Sequence, residues 1–149
     1  MTEASAGNSR TRILIVDDNR QGLIARQHVL RESGHDVAIC ETAREALDRF
    51  QRESFDLVIT DFRMPASSGV DLICELRKLK PEVPIILISG FSDALGLDEE
   101  TTGADAVIQK SHTEVQQLLR AVSRLLRKAQ KKPPRSQPPT APVPARKKG

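Results

Sequence analysis

Five short runs of apolar residues occur along the chain, separated by longer segments whose apolar positions recur at helical spacing. Runs of three or four aliphatic residues between helical patterns are typical of strands buried on both faces of a parallel sheet. We predict strands over residues 13–16, 37–39, 57–60, 85–88 and 106–108. The alternation predicts an α/β fold, a doubly wound five-stranded parallel sheet covered by five helices.

Cap residues and apolar spacing locate the first three helices. Asn19 is predicted to cap a helix over residues 20–32, and Thr42 caps the next, where Glu45 completes a capping-box pattern. The first helix is expected to face the sheet with Leu23, Ile24, Val29 and Leu30. The second is expected to do so with Ala43, Ala46, Leu47 and Phe50, and the third with Leu72, Ile73, Leu76 and Leu79.

The last two helices differ in predicted stability. Residues 92–102 form the weakest helical pattern, because this segment is acidic, contains Gly96 and has few apolar anchors. The final helix is strongly periodic, with inner residues expected at Val115, Leu118, Leu119, Val122, Leu125 and Leu126.

Length and charge indicate one acidic domain with two extensions. The 149 residues suffice for one core, and we expect a disordered leader over 1–11, a domain over 12–129 and a disordered tail rich in Pro, Lys and Arg over 130–149. Net charge is +3, yet all 20 acidic residues lie at or before Glu114. Ten of the 23 basic residues lie from Arg120 onward, so residues 1–119 carry a net charge of −7. The basic pI therefore describes the tail and does not indicate a nucleic-acid-binding domain.

The remaining composition favours the cytoplasm. Cys40 and Cys74 lie in apolar segments without metal-type spacing, which favours buried free thiols in a reducing compartment. The chain has no signal sequence and no apolar stretch near the roughly 18 residues of a membrane span, so no membrane partner is expected.

Three carboxylates follow predicted strands. Asp17 and Asp18 follow the first strand, and Asp61 follows the third. In an open α/β sheet, ligands bind beyond the carboxyl ends of the strands, where these side chains would share one pocket. Like charges at such distances raise each other's pKa unless a cation offsets them. An oxygen-only set of carboxylates with a backbone carbonyl suits Mg²⁺, so we expect a magnesium site that accepts a phosphoryl group.

Two further polar residues end neighbouring strands. Ser89 offers a hydroxyl after the fourth strand, and Lys110 offers an ammonium after the fifth. With the charge on the phosphoryl oxygens neutralised, an ionised aspartate can attack phosphorus and form an acyl phosphate. Each residue alone has an ordinary interpretation as a helix cap, a polar strand end or a surface lysine. Their placement at successive strand ends favours the chemical interpretation.

Four motifs together resemble the receiver domain of two-component response regulators: "ILIVDDN", "DLVITDFRMPASSGVDLI", "ILISGFSD" and "GADAVIQK". The resemblance runs from about Arg12 to Lys128. It implies a flavodoxin-like sheet with strand order 2-1-3-4-5, as in the chemotaxis response regulator.

The resemblance also assigns roles in phosphoryl acceptance. It implies that Asp61 is the phosphoacceptor and that Asp18 and Asp61 bind Mg²⁺ directly. Asp17 would act through a metal-bound water, and the backbone carbonyl of Arg63 would supply the remaining protein ligand.

Other matching positions surround the acceptor. Ser89 resembles the switch hydroxyl that moves toward the phosphoryl group, and Lys110 the lysine that contacts it. Pro65 and Gly69 are expected to shape the loop after the acceptor, while Phe91 and Arg63 occupy positions that tune phosphoryl lifetime in the family.

The sequence departs from the family at two positions. Val107 stands where the family usually has an aromatic residue, so the usual coupling of a ring to the switch hydroxyl is not expected. Ser111 replaces the proline that usually follows the lysine. Neither substitution alters the acceptor chemistry.

The implied function is a phosphorylation switch that is not an enzyme beyond self-catalysed phosphorylation and dephosphorylation. A histidine kinase or histidine phosphotransfer protein would donate the phosphoryl group. The face formed by the fourth helix, fifth strand and last helix would then change its binding to an unidentified downstream protein or to a second copy of the chain. Because no output domain follows in the sequence, we expect a stand-alone receiver.

Two alternatives belong to other classes. An aspartate-nucleophile phosphatase would require a second acid two residues after Asp61, where Arg63 stands. Nucleic-acid or membrane-surface binding by the tail would rely on phosphate contacts alone, because its basic clusters, residues 131–135 and 146–148, contain no aromatic residues. A nucleic-acid partner is therefore not expected.

Overall fold

The computed structural model describes residues 10–64, 67–90 and 97–131. Strands and helices alternate along this part of the chain. In order they are β1 Arg12–Val16, α1 Arg20–Glu32, β2 Asp36–Cys40, α2 Ala43–Arg52, β3 Leu57–Asp61, α3 Gly69–Leu79, β4 Ile85–Ser89, α4 Glu99–Thr102, β5 Ala106–Gln109 and α5 Glu114–Lys131.

The five strands form one parallel sheet in the order β2-β1-β3-β4-β5. Alternate residues of each strand point to opposite faces, so each face has its own core. The α1 and α5 helices cover the face that carries Ile13, Ile15 and Ile59. The α2 and α3 helices cover the face that carries Leu14 and Val58. The predicted fold class and strand order are confirmed.

The central strands are buried throughout, which fixes the positions of their ends. All five residues of β3 and of β4 are buried, including the polar residues Asp61 and Ser89 that end them. Val16 is in register with Thr60, and Asp61 is in register with Ile88. The residues after β1 therefore lie beside the end of β3.

The structure confirms part of the predicted helix capping. Asn19 accepts a hydrogen bond from Gly22 N, and Thr42 accepts one from Glu45 N. The carboxylate of Glu45, however, accepts from Glu41 N, so the predicted reciprocal bond to Thr42 is wrong. A complete capping box instead begins α3, where Ser68 and Asp71 bond to each other's backbone N–H.

Several residues expected in the core are exposed. Ile24, Leu79 and Val115 are 50%, 45% and 42% exposed. Ile24 lies about 100° around α1 from the buried Leu23, whereas Leu79 and Val115 lie at the ends of their helices. Cys40 is buried as predicted, but Cys74 is exposed on α3, so the expectation for Cys74 is wrong.

The described part of the chain modifies two predicted boundaries. The α4 helix has four residues, and residues 92–96 of the predicted weak helix lie outside the described residues, as does Phe91. The α5 helix continues to Lys131, two residues into the predicted tail, and most of both predicted extensions lies outside the described residues. Among the described helices, none combines the length and apolar character needed to cross a bilayer.

Candidate functional site

Three carboxylates meet at the carboxyl edge of the sheet. One oxygen each from Asp17, Asp18 and Asp61 lies within 4.8 Å of the other two. Asp17 and Asp61 are buried, at 1% and 5% exposure, whereas Asp18 faces solvent. The adjacency of β1 and β3 brings these carboxylates together. The sequence predicted this cluster because the carboxylates follow strands that end at the same edge of the sheet.

A lysine that directly follows β5 completes the cluster. Lys110 Nζ lies 2.8 Å from Asp61 Oδ1, and Lys110 N donates to Ser89 O at 2.8 Å. The ammonium contact is a close charge pair rather than a well-directed hydrogen bond, because Asp61 Oδ1 lacks a partner with hydrogen-bond geometry in the described structure. Burial raises the pKa of Asp61; Lys110 opposes this shift, and the negative charge of Asp17 adds to it.

Ser89 supplies a buried hydroxyl below the cluster. Its side chain is fully buried, and its Oγ has no hydrogen-bond partner within the described residues. An unpartnered buried polar atom costs free energy, and within the described part of the chain this hydroxyl has an unused donor and acceptor. Ser89 does not line the open cleft itself.

Asp17 is held by two partners. Its Oδ1 accepts from Asn19 N at 3.0 Å, and its Oδ2 accepts from Arg26 Nη1 at 2.7 Å. Arg26 was not singled out from the sequence, although an arginine at a position between the buried Leu23 and Leu30 was the available signal. A basic residue on the inner side of a helix generally has a buried acidic partner.

The chain after Asp61 turns closely around its carbonyl. Phe62 N donates to Ile88 O at 2.8 Å, and Gly69 N donates to Phe62 O at 2.7 Å. A Cβ at Gly69 would collide with the backbone oxygen of Asp61 and lie 2.8 Å from Leu87 Cδ1. Only glycine therefore fits at the first position of α3.

The remaining loop positions are partly described. The exposed Arg63 forms an isolated bridge with Ser68, while Pro65 lies outside the described residues. The cleft above the cluster has a volume of about 620 Å³. It is lined by the three aspartates, Asn19, Phe62, Arg63, Met64, Ser67, Ser68 and Lys110.

The two positions that depart from the family pattern lie around β5. Val107 is half-buried and packs against the core on the α2 and α3 face, and its N–H donates to Glu99 Oε2 at 3.2 Å. Ser111 Oγ accepts from Thr113 N at 3.2 Å and so caps the turn that leads into α5.

Comparison with known proteins agrees with this geometry. Residues 13–123 match the response regulator receiver domain family. A response regulator receiver protein of Anaeromyxobacter sp. (strain Fw109-5) is 41% identical over 86 residues, which are 56% of this chain and 36% of that protein. The chain thus spans about a third of the length of this curated relative.

Solved structures share the whole fold. A CheY-like receiver domain protein from Methanospirillum hungatei JF-1 has a TM-score of 0.76 and 31% identity, covering 83% of this chain and 98% of the other. The response regulator TrrA from Thermotoga maritima, in complex with Mg²⁺-BeF, has a TM-score of 0.70 and 33% identity, covering 77% of this chain and 98% of its own. From the matched residues, the sheet order and the aspartate cluster, we conclude that the chain belongs to the response regulator receiver domain family.

Proposed function

We propose that this chain is a phosphoaccepting signalling switch in which Asp61 receives a phosphoryl group. The observation that carries the proposal is the cluster of Asp17, Asp18 and Asp61 with Lys110 Nζ 2.8 Å from the acceptor carboxylate. Receiver domain relatives are phosphoaccepting response regulators, and the family acts as a switch rather than as a classical enzyme.

The cluster is suited to a magnesium ion. Receiver domains bind Mg²⁺ at an acidic cluster, and the oxygen-only donor set here has the ligand chemistry that Mg²⁺ prefers. Asp18, Asp61 and the Arg63 carbonyl would hold the ion directly, and Asp17 would do so through water. When bound, Mg²⁺ supplies positive charge that neutralises phosphoryl oxygens. The relative TrrA binds Mg²⁺ in its crystal structure, which supports this assignment.

The side chains of this protein can carry out the acceptor step. An oxygen of the Asp61 carboxylate attacks phosphorus while the bond from phosphorus to a donor histidine nitrogen breaks. The nitrogen leaves with the electron pair and takes a proton from solvent. Lys110 stabilises the negative charge of the transferred group, and the Ser89 hydroxyl can donate to one of its oxygens. Water later attacks the acyl phosphate, which releases inorganic phosphate and restores the carboxylate.

The partners follow from the same chemistry. We propose a histidine kinase or histidine phosphotransfer protein as donor, and a downstream protein or second copy of the chain as the partner of the α4, β5 and α5 face. With Val107 in β5, an aromatic ring cannot transmit the change at that position. A movement of Ser89 toward the phosphoryl group would have to act through backbone contacts, such as that between Lys110 N and Ser89 O.

A phosphodonor experiment tests the proposed acceptor. Incubation with acetyl phosphate and Mg²⁺ should add one phosphoryl group to the wild-type chain by intact mass, and none when Mg²⁺ is chelated. Asp61→Asn should abolish the addition. Asp36→Asn is a matched control because it removes an exposed carboxylate on the edge strand β2, and it should label as the wild type does.

The same measurement separates the switch from an enzyme. A phosphatase would release phosphate from substrate repeatedly, whereas this chain should label once and then lose the group slowly. Undiminished label in Asp61→Asn would contradict the assignment of the acceptor.

A further inference from the structure

A charged arginine lies buried between α1 and α5. Arg26 is 8% exposed and extends from α1 toward the acidic pocket. Burial alone would lower the pKa of Arg26, but its hydrogen bonds to Glu114 and Asp17 outweigh that cost and raise it. The guanidinium is therefore a permanent positive charge at the edge of the pocket.

Arg26 bonds to one acid inside the pocket and one outside it. Its Nη1 donates to Asp17 Oδ2 and its Nε donates to Glu114 Oε2, both at 2.7 Å. The side chains of Asp17 and Glu114 are only 2% and 14% exposed, so solvent screens these pairs little. The positive charge is thus shared between a pocket carboxylate and the first residue of α5.

The helix leaves room for this arrangement. Gly22 lies one turn before Arg26, and a Cβ there would contact Arg26 Nη1 at 3.4 Å and Asp17 Oδ2 at 3.5 Å. A longer side chain at this position would project over the pair. The described residues therefore provide a close-fitting site for the guanidinium beside Asp17.

We propose that Arg26 acts through Asp17, whose Oδ2 it occupies, and so lowers the Mg²⁺ affinity of the pocket. This inference rests on the proposed magnesium-dependent function. The guanidinium repels an incoming cation and occupies one Asp17 oxygen, so it lowers the affinity for Mg²⁺. Glu114 counteracts that effect because its negative charge offsets the guanidinium.

The two members of this ion pair therefore have opposite effects on the same site. Arg26→Met removes the competing positive charge and frees Asp17, so the Kd for Mg²⁺ should fall about fivefold. In Glu114→Gln, Arg26 loses its second acidic partner, so the uncompensated positive charge repels Mg²⁺ from the pocket. The Kd should therefore rise about two- to threefold. A purely structural role would destabilise both variants without shifting Mg²⁺ affinity in opposite directions.

The experiment is a Mg²⁺ titration by calorimetry on the full chain, with thermal unfolding to establish that each variant is folded. Arg49→Met and Glu53→Gln are matched controls, because this ion pair carries the same charges at the opposite edge of the sheet and should leave the Kd unchanged. Arg26→Lys retains the charge and should stay nearer the wild-type Kd than Arg26→Met does. If Arg26→Met does not fold, the Kd of Glu114→Gln decides the test. A raised Kd supports the inference, and an unchanged Kd overturns it.

The possible failures are distinguishable. Wild-type chain that does not bind Mg²⁺ would overturn the proposed function and this inference together. Wild-type binding, with Arg26→Met and Glu114→Gln unchanged relative to the controls or shifted in the same direction, would overturn the inference alone.

Discussion

At the residue scale, the site consists of charged and polar side chains kept in place by buried strands. Asp61 ends a strand whose every residue is buried, so its carboxylate has little freedom to move away from Asp17 and Lys110. Both Asp61 Oδ1 and Ser89 Oγ are buried in the described structure without a hydrogen-bond partner. Among the described residues, Ser89 Oγ is thus a buried polar atom without a partner, whereas Asp61 Oδ1 is paired with the Lys110 ammonium at 2.8 Å.

Two buried hydroxyls provide a comparison of bonded and unbonded groups. Ser89→Ala should change the free energy of unfolding by less than about 1 kcal/mol, because no hydrogen bond within the described residues is lost. Thr60→Val is the matched control at the end of β3, where Oγ1 donates to Asp61 O at 3.1 Å, and it should cost about 1–2 kcal/mol. Urea unfolding measures both. A larger loss in Ser89→Ala would mean that the hydroxyl has a partner in solution.

At the element scale, the position of the acceptor depends on how α3 begins. Its first residue packs against the backbone of Asp61, and the capping box of Ser68 and Asp71 fixes the helix start. The α1 helix begins differently, with its glycine one turn before the buried Arg26 and no close backbone contact. The two helix starts therefore tolerate an added methyl group very differently.

A pair of glycine substitutions tests this difference. Gly69→Ala should destabilise the chain by about 2–4 kcal/mol, because the new Cβ collides with the Asp61 carbonyl. Gly22→Ala should be neutral or stabilising by up to about 1 kcal/mol, because its Cβ makes ordinary contacts and alanine favours the helix. Denaturant unfolding of both variants would contradict the account if their order were reversed.

At the scale of the whole molecule, charged groups occupy both edges of the sheet. The aspartate cluster lies at the carboxyl edge, and Glu53 lies at the amino edge between Arg49 and Arg12, at 2.9 Å and 2.8 Å. Hydrogen bonds from these two arginines lower the pKa of Glu53 from 4.5 to about 2. This carboxylate links the end of α2 to the start of β1.

The shifted pKa of Glu53 predicts a pH dependence of stability. A carboxyl whose pKa is lower in the folded chain stabilises it above the unfolded pKa, and that contribution is lost as pH falls from about 4.5 toward 2. The wild type should therefore lose more stability over this window than Glu53→Gln does. Added salt should shrink the difference, because Glu53 is partly exposed. Equal acid sensitivity of the two chains at low salt would contradict the assignment.

Much of the molecule could be predicted from sequence because its strands are uniformly apolar and its acids follow them directly. The sheet and the convergence of Asp17, Asp18 and Asp61 depend on these local patterns. The role of Arg26 could not be predicted, because it depends on Glu114, 88 residues later in the chain. The exposure of Cys74, by contrast, could have been predicted, because at about 100° per residue it lies on the side of α3 opposite Leu72, Ile73 and Leu76.

Borohydride trapping locates the residue that carries the phosphoryl group, which is proposed to be Asp61. Reduction of an aspartyl phosphate converts that residue to homoserine, which peptide mass spectrometry locates. After treatment with acetyl phosphate and Mg²⁺, homoserine should appear at position 61 and not at Asp17 or Asp18. Homoserine at either neighbour, or label that resists borohydride, would contradict the account.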